Sequence, residues 1–254
     1  MLTTASARLR RFLAARLSPE GEMGLHLTAG VALILLAAWL FGAIAEDVVT
    51  GDTITLVDVR LAHWFHARAT PGFTRAMLFV THWNGIAGSS VMSALLALWF
   101  LRRRAHYWLI VCLTAVPGGM LLNVALKHVF RRARPSFDDP LMNLLTYSFP
   151  SGHTAAATVF YGLLACYLVR RVRAWRARVT IVLGTVAMVM LVALSRMYLG
   201  VHYLSDVLAA AAEGAAWLAI CITAVSTLHR RRLARGETSW SERARRADAA
   251  EDLR

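Results

Sequence analysis

Lysine is almost missing from this chain. Of 28 basic residues only Lys127 is a lysine, and the arginines stand mostly in short tracts between apolar runs. A formal charge of +13 would otherwise raise nucleic acid as a partner. Tracts placed in this way are signals of membrane topology, and that partner is set aside. Cysteine is equally scarce: Cys112, Cys166 and Cys221 lie far apart, each inside an apolar run. That excludes a disulfide framework or a cysteine-ligated metal and leaves three small buried hydrophobes. The 15 acidic residues show no cluster with the spacing of a magnesium site, Asp138-Asp139 being the nearest approach. No metal and no other cofactor is therefore expected. No internal repeat is evident either.

What is plentiful is apolar residue, 57% of the chain, with a mean hydropathy of +0.51. The apolar stretches approach the length of a bilayer-spanning helix, so the expected fold is all-α, a polytopic membrane bundle of six transmembrane helices. The spans are expected at about 25–45, 73–101, 107–134, 150–169, 179–194 and 202–228. Between the first two, residues 46–70 read as an acidic connector carrying a short interfacial helix with Trp64 at the headgroup level. Residues 1–23, with Arg8, Arg10, Arg11 and Arg16 among Leu and Phe, read as an amphipathic segment on the membrane surface. The expected organisation is a basic segment 1–23, a membrane domain 24–229 with its chemistry within 107–228, and a charged tail 230–254.

Sidedness follows from the arginines. Four basic residues fall in 1–23, three at 102–104, five at 170–178 and eight from 230 onward, which puts 20 of the 28 on one face. The positive-inside rule makes that face cytoplasmic, with both termini there; the Arg-rich composition looks bacterial, and the membrane expected is then the cytoplasmic (inner) one.

Three polar clusters then fall together on the extracytoplasmic face. In Lys127-x6-Arg134-Pro135, continued helix would set Lys127, Arg131 and Arg134 on one side. Cations so grouped suit a phosphate, the guanidinium as a fork and the ammonium as a point charge. In Pro150-Ser151-Gly152-His153 a helix begins, so unpaired N–H groups and the positive dipole end are available to an anion. Gly152 permits close approach to the main chain, Ser151 adds a hydroxyl, and His153 can give or take a proton near neutral pH. In Ser195-Arg196-x5-His202-x3-Asp206 the histidine and aspartate are one turn apart. Asp206 can hold the Nδ1–H of His202 and leave Nε2 free, an oriented base or nucleophile. Arg196 adds a further cation. Glu213, two turns beyond Asp206, has no assignable role from sequence.

These three segments, in this order and spacing, resemble the signature of the type 2 phosphatidic acid phosphatase (PAP2) superfamily. The resemblance covers about 107–228 and is nearest to the bacterial six-span membrane lipid phosphatases. It implies the core fold shared with vanadium haloperoxidases. It also implies that His202 attacks phosphorus to form a phosphohistidine, that Asp206 fixes its tautomer, and that His153 protonates the leaving oxygen and later activates water. Lys127, Arg134, Arg196, Ser151 and the Gly152 amide would hold the phosphoryl oxygens. The partner implied is a membrane lipid phosphate. Undecaprenyl diphosphate is the first expectation, phosphatidic acid or phosphatidylglycerophosphate the alternative, and a non-catalytic scaffold or transporter the rival from another class. Oligomeric state is not fixed by anything in the chain.

Overall fold

The computed structural model describes residues 25–234, apart from residue 143. The amphipathic reading of 1–23 and the tail reading beyond 234 lie outside the described residues. Among those described, eight helices and no strand are formed: α1 (Leu25–Thr50), α2 (Thr53–Ala67), α3 (Pro71–Trp83), α4 (Ile86–Arg102), α5 (His106–Phe130), α6 (Gly152–Arg171), α7 (Trp175–Tyr198) and α8 (Leu204–Ala234). Helices α1, α5, α6, α7 and α8 are each long and apolar enough to cross a membrane, and α3 with α4 meets the same measure only when the bent pair is taken together. The protein is a multi-pass membrane bundle. Its outer surface carries exposed Leu35, Trp39, Leu121 and Val129, as a lipid-facing surface requires.

Helix α6 packs against α4, α5, α7 and α8, while α1 lies along α8. The largest apolar core joins Phe100 of α4, Val111 and Ala115 of α5, Leu163 and Tyr167 of α6, and Leu218 of α8. These residues lie toward the ends of α4 and α6 that carry Arg102 and Arg170. Packing is therefore apolar at one end of the bundle, and the polar clusters occupy the other.

Two sequence expectations change. The span expected as one helix over 73–101 is broken at Asn84-Gly85, with a bend of 49° between α3 and α4. The break frees backbone groups, and polar side chains satisfy them: Asn84 Nδ2 donates to Val80 O at 3.0 Å and Ser89 Oγ to Asn84 O at 3.0 Å. Helix α8 also runs on to Ala234, so residues 230–234 are helix rather than tail.

The Pro117-Gly118-Gly119 run marks a close approach. A Cβ on Gly118 would meet Trp217 Cζ2 at 2.5 Å. That indole is pinned by its Nε1–H, which donates to Ala115 O at 2.9 Å. Gly118→Ala should therefore force α5 and α8 apart and destabilise the bundle by about 1–3 kcal/mol, as overpacking does. Gly42→Ala, with nothing within 4 Å of the added atom, should not lower stability. Thermal unfolding in detergent micelles distinguishes them. Equal midpoints for the two variants would mean that the α5–α8 contact is loose.

Candidate active site

The segment after α5 builds the first wall. Helix α5 stops at Phe130 because Arg131 turns into the left-handed conformation, φ 47°, and its N–H bonds back to Lys127 O. Chain direction changes there, so the expected alignment of Lys127, Arg131 and Arg134 on one helical face is not formed. Arg131 is exposed and its Nε donates to His128 O at 3.0 Å. Lys127 reaches the site from the last helical turn and Arg134 from extended chain beyond it. Backbone pairing fixes that extended chain, Ser148 N donating to Arg132 O at 2.9 Å and Ser148 Oγ to Ala133 O at 2.9 Å.

Both cations are held by carbonyl oxygens. Lys127 Nζ donates to Tyr147 O at 2.8 Å. Arg134 donates through Nε to Thr146 O at 2.6 Å, through Nη2 to Tyr147 O at 3.0 Å, and through Nη1 to Val201 O at 2.5 Å. Arg196, 1% exposed, is anchored on the Thr81 hydroxyl of α3, and its Nε has no partner. Among the contacts described for these three cations, none is to a carboxylate. They converge on a cavity of about 340 Å³ also lined by Gly152, His153 and His202, with Asn84, Gly85, Asn123 and Leu144 on its rim and floor.

The second wall is the start of α6. Ser151 is the N-cap and Gly152 and His153 open the helix, so the first-turn N–H groups and the dipole face the cations. A Cβ on Gly152 would stand 3.1 Å from Asn123 Oδ1, a contact tight enough that Asn123 would have to give way. Ser151 is fully buried and sits behind the lining. Its Oγ accepts from Thr154 Oγ1 at 3.2 Å, which leaves its own proton free to donate. His153 lies beside the α3–α4 break, where a Cβ on Gly85 would be 3.6 Å from its Nε2.

His202 completes the cavity. Gly200 at φ +68° turns the chain out of α7 toward it. Its Nδ1 lies 3.3 Å from Asp206 Oδ2 and its Nε2 3.2 Å from Arg134 Nη1. Asp206 also accepts from Tyr203 N at 2.9 Å. Burial, and then the positive charges of Arg196, Arg134 and Lys127, hold the His202 imidazole well below its usual pKa of 6.5. The ring is neutral near pH 7, with Nε2 available toward the cavity.

Several polar residues here were not read from the sequence as site residues. Arg132 donates from Nη1 to Asp206 Oδ1 at 2.6 Å and from Nη2 to Asp58 Oδ2 at 2.8 Å. Asp58, on α2 within the expected interfacial connector, is 1% exposed and also binds the backbone N–H of Ser205 at 2.9 Å and its hydroxyl. Thr81, which anchors Arg196, is another. Glu213 is buried and accepts from Asn123 Nδ2 at 2.9 Å, and its Oε1 has no partner.

Fold and site together define a class: a polytopic helical membrane protein with a cationic cavity at one membrane face and an oriented histidine in its wall. Residues 105–230 match the PAP2 superfamily, and the chain belongs to it. A phosphatidylglycerophosphatase B of Bacillus subtilis is 42% identical over 91 residues, 35% of this chain and 43% of that protein, so the chain aligns with less than half of that relative's length. A crystal structure of a transmembrane PAP2-type phosphatidylglycerolphosphate phosphatase from Bacillus subtilis superposes with a TM-score of 0.63 at 26% identity, covering 76% of this chain and 93% of that one. Aquifex aeolicus LpxE superposes with a TM-score of 0.52 at 21% identity over 65% of this chain and 94% of that one, a likeness of fold.

The neutral buried state of His202 makes a stability prediction. Because its folded pKa lies below 6.5, the unfolded chain binds more protons as pH falls through 6.5 and below. Stability present above that value is lost on acidification. Between pH 7 and pH 5 the unfolding midpoint of wild type should fall, and that of His202→Asn should fall less. Parallel curves would mean that His202 is not held neutral.

Proposed function

We propose that the protein is a lipid phosphate phosphatase working through a phosphohistidine, with its catalytic unit in residues 24–229. The observation that carries this reading is the division of partners at His202, whose Nδ1 faces Asp206 while Nε2 faces the cations of the cavity. An incoming phosphate would lie among Lys127, Arg134 and Arg196, with the Gly152 amide at its oxygens and the Ser151 hydroxyl behind that amide. Charge that builds on those oxygens in the transition state is then met by donors already in place.

The chemistry has two steps. His202 Nε2 forms a bond to phosphorus, the bond from phosphorus to the lipid oxygen breaks, and His153 gives that oxygen a proton. Asp206 holds the Nδ1 proton and balances the positive imidazolium. In the second step His153 takes a proton from water, the hydroxyl oxygen bonds to phosphorus, and the Nε2–phosphorus bond breaks. Inorganic phosphate and the starting enzyme result.

The cavity lies beside the α3–α4 break and the α5 face at Gly119 and Met120, with Leu144 at its edge. A phosphate on a lipid would reach it sideways from the headgroup level, with its chain remaining in the bilayer. The arginine distribution supports an extracytoplasmic site and cytoplasmic termini in the inner membrane. Among lipids, phosphatidylglycerophosphate is the first substrate to test, a choice supported by the names of the relatives. Undecaprenyl diphosphate, the first expectation from sequence, becomes the second substrate to test.

The two histidines separate by leaving group. His202→Ala should abolish turnover of every ester, since a nucleophile is always needed. A general acid contributes about 10²–10⁴-fold, and most where the departing oxygen is basic. His153→Ala should thus cripple release of a lipid alcohol and spare the initial burst of p-nitrophenol from p-nitrophenyl phosphate. A burst that survives His202→Ala would reassign the nucleophile.

Chelation offers an independent check. With cations supplied by side chains, activity should persist in EDTA and fall with vanadate, which takes the trigonal-bipyramidal geometry beside His202. Loss in EDTA restored by magnesium would contradict the proposed chemistry.

A further inference from the structure

Asp58 belongs to α2, outside the 105–230 region that carries the family match. Its side chain is nonetheless three contacts from His202. Oδ2 accepts from Arg132 Nη2 at 2.8 Å, Arg132 Nη1 donates to Asp206 Oδ1 at 2.6 Å, and Asp206 Oδ2 faces His202 Nδ1 at 3.3 Å. The chain of contacts is buried: Asp58 and Asp206 side chains have no exposure and Arg132 has 14%. Arg132 is further fixed by its guanidinium, 4.4 Å from the Tyr203 ring centre.

We propose that Asp58 is a positioning residue whose negative charge engages Arg132 and so keeps Asp206 effective as the counter-charge of His202; the proposal rests on His202 being the nucleophile. The count of charges makes the case. Asp206 with Arg132 alone is a neutral pair, and a neutral pair gives little to an imidazolium. Asp58 adds a second carboxylate on the far side of the same guanidinium, so the group Asp58–Arg132–Asp206 carries one net negative charge. That charge stands next to Nδ1 of His202, opposite the cations at Nε2. It matters most when Nε2 bears the phosphoryl group and the ring is positive. Burial keeps the interaction from being screened by water. A second effect is geometric. Arg132 with both carboxylates engaged fixes Asp206 Oδ1, so Oδ2 is left for Nδ1 and the Tyr203 amide.

A tether between α2 and α8 would explain the same contacts without any effect on chemistry, and variants of charge separate the two. Asp58→Asn keeps the volume and removes the charge. It should slow the p-nitrophenol burst by about 10- to 100-fold, the range seen when the outer partner of a working histidine is lost. KM should change little, because Asp58 does not line the cavity. Asp58→Asn with Arg132→Gln leaves Asp206 alone and restores one net negative charge, so the double variant should be faster than Asp58→Asn. A structural tether predicts the reverse, a double variant no better than either single one. A burst of wild-type rate in Asp58→Asn overturns the proposal, as does a double variant no faster than Asp58→Asn. If Asp58→Asn does not fold, the double variant is read against wild type, since both place one net negative charge beside Nδ1. Its burst should then stay within about 10-fold of wild type, and a larger loss overturns the proposal. Wild-type enzyme that hydrolyses lipid phosphate without a burst removes the phosphohistidine reading and this proposal together, an outcome distinct from failure of the variants.

Discussion

Three cations are held in one cavity against their mutual repulsion, and much of the surrounding structure serves that constraint. Lys127, Arg134 and Arg196 come from three separate segments and are anchored on the Tyr147, Thr146 and Val201 carbonyl oxygens and the Thr81 hydroxyl. Neutral anchors fix position without cancelling charge. An anion entering the cavity relieves the repulsion and loses little of the field, since the surroundings are largely apolar. The helix dipole of α6 has the same sign and points the same way. A carboxylate among these donors would fill the site and weaken it for phosphate.

The negative charges are set apart, behind His202. Asp206 and Asp58 meet Arg132 there, so the imidazole stands between a cationic and an anionic half. Burial, and then the cations, hold the ring neutral. In the proposed mechanism Asp206 would stabilise it once it is positive, so that one histidine would serve as both nucleophile and phosphoryl carrier. The arrangement needs α2 and α3 as well as the four helices from α5 onward, because Asp58 anchors Arg132 and Thr81 anchors Arg196. The N-terminal half of the bundle is part of the site.

The membrane fold was legible because apolar runs of bilayer length leave few alternatives. The break in the second span was not read, since apolar residues continue on both sides of Asn84-Gly85, although Asn-Gly is itself a turn signal. The residues proposed for the site were legible where partners are close in sequence: His202 and Asp206 are one turn apart, and Ser151, Gly152 and His153 are adjacent. Arg131 was grouped with Lys127 and Arg134 on the assumption of continuing helix. Its left-handed turn reverses that geometry and hands Arg132 inward instead. Asp58 and Thr81 had no local pattern to reveal them. Their partners lie 74 and 115 residues away, and such pairings are decided by packing among helices.

Direct location of the phosphoryl group tests the account at its centre. Enzyme mixed with phosphatidylglycerophosphate and quenched in alkali, which preserves phosphohistidine, can be digested and the modified residue found by mass spectrometry. A transient phosphoryl group on His202, absent in His202→Ala, is the predicted result. A phosphoryl group on His153, or full turnover with none on either histidine, would contradict it.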